Sequence, residues 1–253
     1  MNYLNKSILI ILLVFSLSQV DAQQLPLYSQ YWWNDYIINP AYTGSLNYSP
    51  LQMTYRKQWV GFNGSPELFT IGGHTRINEK ISIGGLIFKD QTGGAISQTG
   101  AMLNYCYRIR VNNNSFLSLA LSGQFNQYAF DNKKVQALTP SDPVLIDGVQ
   151  KSLSPDASFG ILFQNKQKTK IGFSVNQLFE SSLRNLSDNS ENTLVRHFNI
   201  SASQVFQLDS SFSIEPSVLI KKTLASPIQA DLMARVSYKN LIWMGISYRY
   251  QDA

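Results

Sequence analysis

From about residue 48 onward, apolar side chains recur at every second position, with polar or charged residues between them. In QADLMARVSY, Ala230, Leu232, Ala234, Val236 and Tyr238 fall on one face, and Gln229, Asp231, Arg235 and Ser237 on the other. In the next run Ile242, Met244, Ile246, Tyr248 and Tyr250 oppose Gly245, Ser247, Arg249 and Gln251. Earlier, Leu103, Tyr105, Tyr107 and Ile109 oppose Asn104, Cys106, Arg108 and Arg110. An extended strand sends successive side chains to opposite faces, so this period makes most of the chain β. About eleven such runs can be counted between residue 48 and residue 250.

The connections between runs alternate in length. Those around INEK, VNNN, NKQK, QLDSS and YKN are tight, whereas those around VGFNGSP, KDQTGGAIS, DNKKVQALTPSDPVLIDGVQKSLSP, ESSLRNLSDNSEN and TLASPI are longer. A soluble sandwich would bury its apolar face, and nothing would tie its loop lengths to a two-beat rule. A barrel in an outer membrane demands both features, because lipid requires apolar residues outward, periplasmic turns are short and surface loops are long. Aromatics near the ends of runs, at Tyr55, Trp59, Tyr105, Tyr107, Tyr128, Tyr238, Tyr248 and Tyr250, suit the two interfaces. The expected fold is therefore all-β, an antiparallel transmembrane β-barrel of the outer membrane occupying 46–253. The mean hydropathy of -0.12 is that of a wall apolar on one side only.

The first residues obey a different rule. MNYLNKSILIILLVFSLSQVDA places Lys6 before an apolar run from Ile8 to Val14 and small residues ahead of Gln23, the layout of a secretory signal peptide at 1–22. The run is shorter than the roughly 20 residues that a helical span needs, and Ser16, Ser18 and Gln19 interrupt its end. Residues 23–45 are rich in aromatics and lack a strand period. This segment is expected to lie in the periplasm or in the lumen.

Composition narrows the function. The formal charge of +5 has no Lys/Arg cluster with interleaved aromatics behind it, so no nucleic-acid groove is expected. The single cysteine, Cys106, rules out an intramolecular disulfide framework, and no cysteine follows the signal to carry a lipid. His74 and His197 fall in separate runs, and neither a Gly-x-Ser-x-Gly elbow nor a His-Glu-x-x-His pair is present. Asp142 and Asp147 are separated by apolar residues, unlike a calcium loop. No enzyme, cofactor or metal site is expected. A transport barrel is the alternative: Arg56, Arg108, Arg110, Lys221, Arg235 and Arg249 on the lumenal face could favour anions, or could be paired with Glu215 and Asp231 in a plugged interior.

Three stretches carry a more specific signal: YSQYWWNDYIINPAYTGS, then YRKQWVGFNGSPE, then GGLIFKDQTGGAISQTGAMLNYCYRI. In this order they resemble the PorP/SprF family of outer-membrane proteins associated with type IX secretion. The matching positions are Asn39, Pro40, Ala41, Tyr42 and Gly44; Arg56, Gln58, Trp59, Gly61 and Phe62, with Gly64 and Pro66 beyond them; and Asp90, Gly93 and Gly94 in an Asp-x-x-Gly loop. The resemblance implies a non-enzymatic role in export or surface retention of a partner adhesin through its C-terminal domain, linked to gliding motility. Its implied partners are type IX secretion components or that adhesin, in contact with outer-membrane lipid. It also implies a barrel of about fourteen strands, so a chain with about eleven is expected to be truncated at its C-terminus.

The residues themselves place Val60 to Pro66 in the first outer loop. Gly61 and Gly64 admit backbone conformations other residues resist, and Pro66 opens the next strand where no ladder donor is needed. Trp59 and Phe62 are expected at the interface and Arg56 in the lumen, so the motif either shapes a hairpin or docks a partner. The longest outer loops, 131–155 and 180–193, present Lys133, Lys134, Asp142, Asp147, Arg184 and Glu191 as candidate partner contacts.

Overall fold

The computed structural model describes residues 34–134, 148–166, 168–182, 193–224, 226–239 and 241–250. The expected signal peptide, residues 23–33, and the loop positions Asp142, Asp147, Arg184 and Glu191 lie outside these residues. The strands are β1 Leu51–Lys57, β2 Glu67–Arg76, β3 Ile81–Thr92, β4 Ile96–Arg110, β5 Ser115–Asp131, β6 Val149–Asn165, β7 Thr169–Asn176, β8 His197–Gln204, β9 Phe206–Gln207, β10 Phe212–Thr223, β11 Gln229–Tyr238 and β12 Ile242–Tyr250. They form one antiparallel sheet in which neighbours in sequence are neighbours in space. The short β9 pairs β10 at one end, and β8 pairs the rest of it. Among the described residues β1 and β12 are the two edges, and no ladder joins them.

Several details differ from the sequence reading: the expected 131–155 loop is shorter, since Asp131 and 149–155 belong to the β5–β6 ladder, and Tyr128, expected at an interface, is buried on the inner face beside Gln98. The extra strand is β9, split from β8 where the ladder breaks at Val205, whose N–H donates to Lys168 O. The second outer connection is short, because residues 89–92 and 96–99 continue the ladder past the apolar stretch and leave Gly93, Gly94 and Ala95 to turn. Asp90 is therefore a strand residue, opposite Leu68 and Gln98, rather than part of a loop.

The sheet is inside out relative to a soluble sandwich. On β6, Ser152, Ser154, Asp156 and Ser158 are buried, while Leu153 between them is 65% exposed. On β4, Asn104 and Cys106 are buried, while Leu103 is 73% exposed. In water each large side chain on that outer row would forgo roughly 1.5–3 kcal/mol of burial, which lipid supplies. No helix among the described residues is long and apolar enough to cross a membrane; the strands supply the apolar surface. Leu103, at the centre of β4, provides a test. Leu103→Glu should cost about 2 kcal/mol in a lipid vesicle, read by urea titration of folding, and much less in detergent. Equal stability of wild type and variant in vesicles would contradict a lipid-facing row.

Candidate functional site

The interior is occupied by the chain's own N-terminal segment. Asn34 to Ser45 lies against the polar face of the sheet in two 3-10 turns, Asp35–Ile37 and Pro40–Tyr42. Local chemistry sets the second turn: Pro40 enters at the first position with its φ already suited to it, and the Asn39 side chain accepts from Ala41 N at 2.9 Å. The segment has no alternating pattern, so it cannot join the sheet, and its backbone and side chains find partners on the wall instead.

Those partners span most of the sheet. Asn39 Nδ2 donates to Ile161 O on β6 at 3.0 Å and Phe173 O on β7 at 3.2 Å. Ser174 Oγ and Asn176 Nδ2 donate to Ile38 O. Tyr36 Oη donates to Gly85 O on β3, and Tyr42 Oη meets Ser201 Oγ on β8. Gly44 N donates to His74 Nδ1, which fixes that nitrogen of the β2 histidine as an acceptor. Arg76 Nη2 donates to the carbonyls of Gly44 and Leu46. Tyr36, Ala41 and Tyr42 pack with Leu86, Phe88, Met102, Cys106, Ala120 and Leu162 into a small apolar core inside the lumen.

Close approach needs missing side chains on the wall. A Cβ at Gly160 would lie 2.1 Å from Asn39 Oδ1 and 3.0 Å from Ala41 N, and one at Gly172 would lie 2.9 Å from Asn39 Nδ2. These glycines form a seat for the Asn39 turn. At the end of the segment Gly44 has a φ of +73, and a Cβ there would strike Ser82. Burial raises the Asp35 carboxyl from its ordinary value to about 6, with the Lys170 ammonium 3.7 Å away pulling the other way. Burial also pushes the phenols of Tyr36 and Tyr42 up, so both remain neutral groups able to donate.

The other two motifs meet at the long-loop end. Arg56, Leu68, Asp90, Gln98 and Tyr128 are successive ladder partners across β1 to β5, and Gln98 Nε2 donates to Tyr128 Oη at 2.9 Å. Gln58 N donates to Pro66 O, closing the loop that carries Trp59, Gly61, Phe62 and Gly64. A Cβ on Gly64 would sit 3.1 Å from the Gly93 carbonyl carbon, so this loop rests on the Gly93–Gly94 turn. Trp59 and Phe62 are exposed, at 69% and 73%. Lys133 and Lys134 follow β5, and Lys134 lies 3.7 Å from Asp131.

Several lumenal cations of the sequence reading are paired. Arg235 bonds Glu215; Asp231, only 3% exposed, has Lys221 Nζ and Arg249 Nε each 2.9 Å away. Between the plug and the β8–β12 wall lies a cavity of about 360 Å³ lined by Asn34, Asp35, Tyr42, Ser203, Glu215 and Arg235, among others. The seat glycines and the Asp35–Lys170 pair were not among the sequence candidates. The available signal was glycine at positions that alternation assigns to the polar face.

The Asn39 turn predicts a graded series. Asn39→Ala removes the cap and both wall bonds and should weaken plug docking by about 2–3 kcal/mol. Asn39→Asp keeps the cap but sets a carboxylate oxygen against Ile161 O and Phe173 O, and should dock more weakly than alanine. Limited proteolysis of the N-terminal segment in detergent orders the three, and an unchanged cleavage rate in Asn39→Ala would refute the series.

A search of curated proteins found no match. A family model described as type IX secretion system membrane protein PorP/SprF matches residues 20–253.

Proposed function

We propose that this chain, which belongs to the PorP/SprF family of type IX secretion system membrane proteins, acts as a plugged outer-membrane scaffold. In this reading it is exported through a cleaved signal peptide, assists export or surface retention of a partner adhesin in support of gliding motility, and does no chemistry itself. The observation that carries the reading is the plug. A lumen filled by Asn34 to Ser45, and bonded to β2, β3, β6, β7 and β8, suits a protein that holds others more than one that passes solutes. The pairing of Arg235, Lys221 and Arg249 with carboxylates also argues against the alternative, an anion-selecting porin, since selection by charge needs uncompensated cations. The connection between β5 and β6 (132–148) and the 180–193 stretch are the contacts assigned to the adhesin, and the Trp59 and Gly93 loops, which rest on one another, form a second face.

The test is deletion of the gene, complementation with wild type or a 180–193 loop deletion, and measurement of surface proteome, gliding and small-solute uptake. Loss of a large surface protein with unchanged uptake supports the scaffold. Unchanged surface proteins with impaired uptake would replace it with the transport barrel.

A further inference from the structure

The two ends of the sheet differ in how their charges are satisfied. At the long-loop end Lys57 pairs with Glu67 at 2.6 Å, Lys134 with Asp131 at 3.7 Å and Arg196 with Glu180 at 3.3 Å, while Lys89, Lys133 and Lys151 are exposed with no ion pair among the described residues. At the short-turn end stand Lys80 between β2 and β3, Arg110 at the end of β4, Lys166 and Lys168 between β6 and β7, and Lys239 between β11 and β12. All five are exposed, and none of them has an ion-pair partner among the described residues. Exposed acids are few at this end. Asp209 turns its carboxylate onto its own turn, accepting from Ser211 N and Phe212 N, which leaves Glu79.

Lys166 and Lys239 have φ of 45 and 47, the left-handed region where glycine or asparagine fits with least strain. The same region also holds Trp59, Gln177 and Glu180 at the long-loop end, so this conformation belongs to the turns of both rims. An aromatic ring stands beside one of the cations: Lys239 Nζ lies 5.4 Å from the Tyr238 ring centroid. Exposed Ile109, Tyr107, Tyr238 and Ile242 continue directly into the lipid-facing rows.

From this arrangement we infer that the short-turn rim is a binding ring for the phosphate headgroups of anionic lipids in the periplasmic leaflet. The inference goes beyond the secretion role and rests only on the lipid-facing reading of the sheet. Cations occur at four of the five short connections, from β2 to β12, so they follow the circumference. A lipid annulus touches every turn, whereas a protein partner would favour one sector. Each lysine presents a compact charge at headgroup depth, the form in which ammonium groups bind phosphate.

The test uses the full chain in nanodiscs of phosphatidylcholine alone or with phosphatidylglycerol, followed by tryptophan fluorescence on heating and by native mass spectrometry of retained lipid. Phosphatidylglycerol should raise the midpoint by roughly 5 °C and be enriched several-fold among retained lipids. The combined variant Lys80→Gln, Lys166→Asn, Lys168→Gln and Lys239→Asn should lose both effects, with asparagine keeping the left-handed turns. The opposite-rim variant Lys133→Gln with Lys151→Gln should keep them. Equal midpoints in the two lipids, or a preference that survives the combined variant, would overturn the inference. Wild type that shows no headgroup preference but captures an acidic periplasmic protein in a salt-sensitive way would also overturn it, in favour of a protein partner.

Discussion

Gly160→Val is expected to expel the plug and turn a silent protein into a conducting one. A Cβ at this position would lie 2.1 Å from Asn39 Oδ1, 3.0 Å from Ala41 N and 3.1 Å from Pro40 Cδ. The nearest atom is a side-chain end, but it is held by the bond from Ala41 N, and the other two belong to a proline turn that has little room to shift. Overpacking of a tight site costs about 1–3 kcal/mol, and displacement of Asn39 loses its bonds to Ile161 O and Phe173 O as well. Planar bilayers with wild type should show no stable current steps, and those with the variant should show them. Gly123→Val is the control, since nothing lies within 4 Å of a Cβ there. Conduction by wild type, or silence of a Gly160→Val protein that still folds by heat-modifiability, would show that the plug does not seal the lumen.

Asp231→Ala should be the most destabilising single change in the wall, at about 3–5 kcal/mol. Its carboxylate is shared between Lys221 on β10 and Arg249 on β12, and Arg249 is its direct ladder partner. Removal strips the shared counter-ion from two cations that are only 19% and 22% exposed. Because β12 has a ladder on one side only, its attachment to β11 should fail first. Heat-modifiability on gels in mild detergent reports the loss. Adding Lys221→Gln and Arg249→Gln to Asp231→Ala should recover most of it, because no charge is then left behind. A single variant that melts with wild type would show that the triad contributes little.

The wall was legible because its signal is local. Alternation at Leu103, Tyr105 and Tyr107 needs no knowledge of the rest of the molecule, and it named the lipid face correctly. The pairing of Arg235 with Glu215 and of Arg249 with Asp231 was also within reach, since facing strands bring such charges together. Asp90 was placed in a loop because Gln91, Thr92, Gly93 and Gly94 read as a turn. What overrode that composition was ladder pairing with Leu68 and Gln98. The plug was the hardest part. Asn39 to Gly44 stood out as a motif, but a segment without a period carries no mark of where it will dock, and lumen and periplasm remained equal choices. Only the glycines at 72, 84, 160 and 172, all on the inner face, encode the seat, and they do so on four strands.

The distances along the chain between the plug and its partners set an order of assembly. Asn39 waits for Phe173, 134 residues later; Ile38 waits for Asn176, 138 later; and Tyr42 waits for Ser201, 159 later. The first described segment of the chain is thus among the last to be satisfied. Contacts of such separation form slowly, because the intervening chain must be organised before they return any free energy. Until β7 and β8 are in place the growing sheet has a wet, unfilled centre. Docking of the Asn39 turn then registers that β6 to β8 are in place, a check on assembly written into the same chain it inspects.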